Sequence, residues 1–167
     1  NAICKGFEEL LMLGLVDHKT DFKITAAQPH GCAPIVDAFK KKTDQVIPVE
    51  RPDTIAKSLA IGDPGDGLYV LKRLNQYNGM AEEVTNEEII DGILLLAKTE
   101  GIFTEPAGGV AVAVLKKLVE EGKIDKDERI VCYITGNGLK ATEAITSVLP
   151  KLRSVKPDAQ EVLAMIR

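Results

Sequence analysis

The 167-residue chain has no tryptophan, and aromatic residues make up only 4% of it. Proteins that stack nucleic-acid bases need aromatic faces, so that class of function is disfavoured. A basic excess is missing as well: 21 Lys and Arg stand against 25 Asp and Glu, for a formal net charge of −4. Phosphate backbones demand clustered cations. The one basic run, Lys40-Lys41-Lys42, reads as a solvated helix end that complements the dipole. The only two histidines, His18 and His30, lie in polar, turn-like surroundings, too isolated for a hydrolase triad. Cys4, Cys32 and Cys132 are dispersed without Cys-x-x-Cys spacing, which argues against zinc and for a reducing compartment, the cytoplasm. Cys4 and Cys132 sit in apolar runs and are expected to serve packing. The longest apolar stretch, Ile89 to Ala97, is interrupted by Asp91-Gly92 and is far too short to span a bilayer. Neither repeats nor low-complexity tracts occur.

What is present is a core. A hydrophobic fraction of 45% over this length suits one ordinary domain, expected to cover residues 1–167 with a tail from about residue 150 loosely attached. Ile3, Phe7, Leu10, Leu11 and Leu15 predict an opening amphipathic helix. Phe22 to Gln28 predicts a strand broken by Pro29, followed by a helix from Cys32 to Lys42 with Pro34 in its first turn. Val46 to Val49 holds a proline and predicts an edge strand or extended connection. A helix through Ile55, Leu59 and Ala60, another over Leu68 to Gln76, and a strand over Met80 to Val84 follow. Strands alternating with helices imply a parallel sheet covered on both faces. The expected fold class is therefore α/β, a three-layer αβα arrangement with a mainly parallel sheet.

Two segments carry candidate chemistry. Arg129 to Ile134 is rich in β-branched and aromatic residues and predicts a buried strand, which opens into Thr135-Gly136-Asn137-Gly138. In open α/β sheets, ligands collect at that end of the strands. The competing explanation is a turn whose glycines merely supply positive φ. The second segment begins at Thr85-Asn86-Glu87-Glu88, a capping-box pattern opening a helix with Ile89, Ile90, Ile93, Leu94 and Ala97 on its stripe. After Gly101 comes Ile102-Phe103-Thr104-Glu105-Pro106-Ala107-Gly108-Gly109, with Pro106 in the first turn of another helix. Glu105 is either a cap on that helix or a functional carboxylate.

In order, Gly101 to Ala107, then Thr135-Gly136-Asn137-Gly138-Leu139-Lys140, resemble the pyridoxal-phosphate-dependent threonine synthase family. Glu50-Arg51-Pro52-Asp53-Thr54 and Ser58-Leu59-Ala60-Ile61-Gly62-Asp63-Pro64 resemble two further signatures of it, and Ala2 to Phe7 resembles the helix after its phosphate-binding loop. The resemblance spans nearly the whole chain and weakens after Thr142. It implies the C-terminal part of the large domain of a tryptophan-synthase-β-like enzyme, using pyridoxal 5'-phosphate to convert O-phospho-L-homoserine and water into L-threonine and phosphate. Thr135 would be the hydroxyl partner of the pyridine nitrogen, Glu105 an acidic group close to the ring, and Gly62 and Gly136 main chain lining the cofactor. Asn137 would support the turn or a neighbouring side chain. Asp63 stands where many members have Asn, and Gly108-Gly109 replaces a more usual Ala/Ser-Gly/Ala pair. The implied partners are the remainder of the enzyme, a small-molecule substrate and a second copy in a homodimer, with no nucleic acid, membrane or metal.

The family's Schiff-base lysine lies in a Ser-aromatic-Lys-Asp/Asn-Arg context, which does not occur here; Ser154-Val155-Lys156-Pro157 mimics only its first half. The chain therefore reads as a fragment, expected to be inactive and not to retain the cofactor alone, and no catalytic base is assigned in it. Two alternatives remain: a related threonine or serine dehydratase or cysteate synthase, and a non-catalytic α/β binding domain.

Overall fold

The structure, a computed structural model, describes residues 1–150, 154 and 157–166. Helix α1 (Ala2–Met12) leads to strand β1 (Thr25–Pro29), then to helices α2 (Pro34–Lys40) and α3 (Gly67–Gln76) and strand β2 (Met80–Val84). The two strands pair in parallel, with Thr25 opposite Met80 and Pro29 opposite Val84. A parallel pair needs a long crossover, and α2 and α3 lie in it. Beyond β2 come α4 (Asn86–Glu100) and α5 (Pro106–Glu120), then the short α6 (Glu143–Thr146) and α7 (Ala159–Ile166).

Side chains alternate across a sheet, so each face collects its own core. Ala26 and Ala81 pack with Ile35, Val36, Leu71 and Leu74 of α2 and α3. Ala27, Met80 and Val84 pack with Ile89 and Ile93 of α4 and with Val110 and Val114 of α5. Helical layers on both faces of a parallel sheet make the expected αβα arrangement. α5 is the most enclosed helix, with eight buried residues. It meets α4 through glycine: a Cβ on Gly109 would lie 2.7 Å from the Ile89 carbonyl oxygen and from Ile93 Cγ1. That close approach explains why Gly109 has no side chain.

Several elements differ from expectation. β1 runs through Pro29 instead of stopping before it, because a strand end tolerates a missing N–H. α2 is shorter than Cys32 to Lys42, being preceded by a 3₁₀ turn at His30–Cys32. The expected helix through Ile55 and Ala60 is only a 3₁₀ turn, Lys57–Leu59. Its first turn is replaced by side-chain bonds: the Ala56 N–H donates to Thr54 Oγ1 at 3.0 Å, and the Ile55 N–H to Asn86 Oδ1 at 3.1 Å. Such local bonds compete with helix. Val46 to Val49 is an extended connection, whose Val49 N–H donates to the Gly62 carbonyl at 3.0 Å.

Arg129 to Ile134 is not a strand. Its side chains do alternate, with Val131 and Tyr133 exposed and Cys132 and Ile134 half-buried, but no ladder pairs it among the described residues. Period-two patterning encodes which side chains point inward; it carries no information about the neighbour that completes a sheet. The tail from about residue 150 falls partly outside the described residues, as do Val155 and Lys156 of the lysine look-alike segment.

No helix among the described residues is long and apolar enough to cross a membrane. No group of His, Cys, Asp and Glu among them is arranged to hold a metal ion.

Candidate functional site

The Thr135–Lys140 turn is fastened to the start of α5. Thr104 and Asn137 form an isolated antiparallel bridge, the Glu105 N–H donates to the Gly136 carbonyl at 3.1 Å, and the Gly138 N–H donates to the Phe103 carbonyl at 3.0 Å. The Thr104 hydroxyl, almost fully buried, also donates to the Gly136 carbonyl at 3.0 Å. Phe103 packs its ring on the core beneath. Four of the five residues expected at the site, Glu105, Thr135, Gly136 and Asn137, are thus held together. The fifth, Gly62, stands apart in the loop after the 3₁₀ turn at Lys57–Leu59, against Val49 and Pro52, and no hydrogen bond among the described residues joins it to the turn.

The glycines are required for space. Neither Gly136 nor Gly138 has positive φ, so the positive-φ explanation of the turn fails. A Cβ on Gly136 would overlap the Glu105 carboxylate, and one on Gly138 would meet the Phe103 ring. At Gly62 the obstacle is the Val49 carbonyl. In all three cases the chain's own atoms occupy the room. Asn137 supports the turn, its Oδ1 accepting from the Leu139 N–H at 2.9 Å.

Glu105 is at the N-cap of α5 but does not cap it with its side chain. Its main-chain carbonyl accepts from the N–H groups of Gly108 and Gly109 at 3.0 and 3.2 Å. The carboxylate, only 14% exposed, turns to the loop and faces Lys140 Nζ at 3.7 Å. Lys140 belongs to the Thr135–Lys140 motif but has no assignment from the sequence, because no local pattern places it against Glu105. Thr104 was missed because a buried hydroxyl looks the same in sequence as an exposed one. Thr135 itself is exposed, and its hydroxyl has no hydrogen-bond partner among the described residues.

A second polar cluster was also missed. Glu82 of β2, 5% exposed, accepts from Lys40 at 2.7 Å and Lys117 at 3.3 Å, with Lys123 at 3.7 Å. Burial works to raise its carboxyl, but Lys40, the Glu83 N–H and Lys117 outweigh that and hold it at about 2. Lys40 is therefore not the merely solvated helix end expected. Elsewhere, a cleft of about 510 Å³ lies between β1 and the Leu59–Asp66 loop, next to Gly62. Gln28 lines it and is already engaged, its Oε1 accepting from the first N–H groups of α2, those of Ile35 and Val36.

A family profile described as "Pyridoxal-phosphate dependent enzyme" matches residues 1–136, and the chain belongs to that family. Among known proteins it is 47% identical over 144 residues to threonine synthase of Methanocaldococcus jannaschii, covering 86% of this chain and 35% of that protein. The threonine synthase of Methanosarcina acetivorans is 41% identical over 88% of this chain and 36% of its own length. The similarity to threonine synthases read from the motifs is borne out. The chain spans about a third of the length of these relatives. In fold it is similar to an L-serine ammonia-lyase from the fungus Rhizomucor miehei, with a TM-score of 0.62 at 16% identity, covering 84% of this chain and 44% of that one.

Pyridoxal phosphate, the family's cofactor, fits the donor set present here. A ring nitrogen calls for one hydrogen-bonding group, and among the described residues Thr135 offers an exposed, unpartnered hydroxyl next in sequence to Gly136, against which the largely buried Glu105 carboxylate lies. The fit rests on those two side chains and not on the glycines.

Proposed function

We propose that this chain carries one wall of the cofactor site of a threonine-synthase-type enzyme, which converts O-phospho-L-homoserine and water into L-threonine and phosphate. The observation that carries the reading is the Thr135-Gly136-Asn137 turn clamped on Glu105. Identity of 47% and 41% to two threonine synthases supports it. Bound pyridoxal phosphate supplies an electron sink for charge developing on the substrate carbons.

Each residue then has a physical task. Thr135 would hold the ring nitrogen through an uncharged hydroxyl, which can donate a hydrogen bond without placing a negative charge there. Glu105 keeps a carboxylate beside the turn, away from bulk water. Gly136 and Asn137 would present main chain to the ring, and Gly62 would add main chain from its separate loop.

Full-length enzyme mixed with O-phosphohomoserine should release phosphate well above a serine control. Phosphate release at the control level overturns the reading. Ammonia from threonine or serine instead would indicate a dehydratase, and no reaction with either would indicate a binding domain.

A further inference from the structure

We propose that Lys140 is a positioning residue for Glu105: its ammonium holds the carboxylate on the Gly136 side of the turn, away from the N-terminus of α5. Three observations carry this. A helix N-terminus attracts carboxylates, yet Glu105 leaves its own helix uncapped by its side chain, and main-chain carbonyl bonds to Gly108 and Gly109 take over that duty. Having turned away, the carboxylate is 14% exposed and needs a counter-charge; Lys140, at 3.7 Å, is the one cation within 4 Å of it among the described residues. Finally, the carboxylate lies where any side chain at position 136 would have to be, so its placement and the turn's path are mutually dependent.

The ammonium comes from the last residue of the 3₁₀ turn Gly138–Lys140, which Asn137 caps and Phe103 fastens at Gly138. An exposed stem (71%) with an anchored main chain lets the lysine reach over the turn like a strap. Lys140 thereby keeps Glu105 at the side of the turn that carries Thr135. This inference rests on the functional reading above, which makes that side the cofactor side.

The test uses the full-length polypeptide with Lys140→Met, Lys140→Arg, Glu105→Gln and the Glu105→Gln/Lys140→Met pair. Two readouts are taken. The first is hydrogen exchange of the Gly138 and Glu105 amides in the cofactor-free protein. The second is the affinity for pyridoxal phosphate and the position of its absorbance band. Lys140→Met should speed exchange and weaken cofactor binding about fivefold each, the scale of a partly exposed ion pair. Lys140→Arg should restore both, and Lys140→Met should add nothing once Glu105 is Gln. Unchanged exchange in Lys140→Met, or an equal effect with and without the Glu105 charge, overturns the inference even if cofactor binding is intact. A wild-type polypeptide that shows the exchange coupling but takes up no pyridoxal phosphate keeps the tether and removes the functional reading instead.

Discussion

Glu82 Oε1 and Lys40 Nζ lie 2.7 Å apart, joining the middle of β2 to the last residue of α2. Lys117 and Lys123 reach the same carboxylate. A buried acid with three cations around it is costly to break and gives little when replaced whole. Because its folded value is depressed from 4.5 to about 2, the stability it confers is fully present above about 4.5. That contribution is lost as pH falls toward 2. Allowing for lysines that are a third to a half exposed, it is on the order of 2 kcal/mol. Glu82→Gln should lower stability at neutral pH and flatten its acid dependence, as read by urea unfolding midpoints at several pH values. Parallel pH profiles for the two proteins would refute the assignment.

Gly109 and Gly92 let α5 and α4 approach backbone to backbone. A Cβ at Gly109 falls within 2.7 Å of the Ile89 carbonyl oxygen and Ile93 Cγ1, neither of which is a flexible chain end. Gly109→Ala should cost about 1–3 kcal/mol through forced separation of the helices. Gly6, in α1, has nothing near its Cβ direction. Gly6→Ala should therefore stabilise by about 0.5–1 kcal/mol. Urea midpoints moving in opposite directions for the two substitutions are the expected result.

Helix α4 begins with a reciprocal cap. The Thr85 N–H donates to Glu88 Oε2 at 2.7 Å, and the Glu88 N–H donates to Thr85 Oγ1 at 3.3 Å. Thr85→Ala should cost about 1 kcal/mol, and Thr85→Ser almost nothing, in thermal unfolding. Equal losses in both would mean the methyl group, and not the hydroxyl, is what the site uses.

How far the sequence could be read depended on whether the deciding interaction was local. The Thr85–Glu88 cap, Pro106 opening α5 and the strand Met80–Val84 all follow from neighbours within a few residues, and all are present. Residues 54–60 read as helix because their apolar spacing is helical, yet Asn86, some thirty positions away, binds Ile55 and prevents it. Residues 129–134 read as strand because their side chains alternate, yet pairing needs a second segment that no local pattern specifies. At the site, the ordered motifs located the turn and the carboxylate. What they could not reveal was that Gly136 and Gly138 are small because Glu105 and Phe103 stand over them, or that Lys140 faces Glu105.

At Thr135, effects on stability and on the proposed activity are expected to part. Its side chain is exposed and has no hydrogen bond among the described residues, so Thr135→Ala should change stability by no more than about 0.5 kcal/mol. In the full-length enzyme the same change should lower turnover and shift the absorbance of bound cofactor. Thr135→Asp should shift it in a different way, because a carboxylate favours a protonated ring nitrogen. Spectra and rates unchanged in both variants would reduce Thr135 to a turn residue.

Gly136→Ala should do the opposite, damaging fold and site together. The added methyl would overlap the Glu105 carboxylate. Main-chain shifts cannot relieve the overlap, because the Glu105 N–H is bonded to the Gly136 carbonyl at 3.1 Å and its helix is fixed by Pro106 and the buried residues behind it. The turn is equally constrained, held by Thr104 through the Gly136 carbonyl and by Phe103 through the Gly138 N–H. Relief has to come from rotation of the Glu105 side chain, which gives up its contact with Lys140, so the cost is expected at the low end of overpacking, about 1 kcal/mol. Removing the carboxylate should relieve it: Gly136→Ala in a Glu105→Ala background should cost clearly less than in the native background, a non-additivity expected only of residues in contact. Strictly additive losses in urea unfolding would show that Glu105 does not occupy the space beside Gly136.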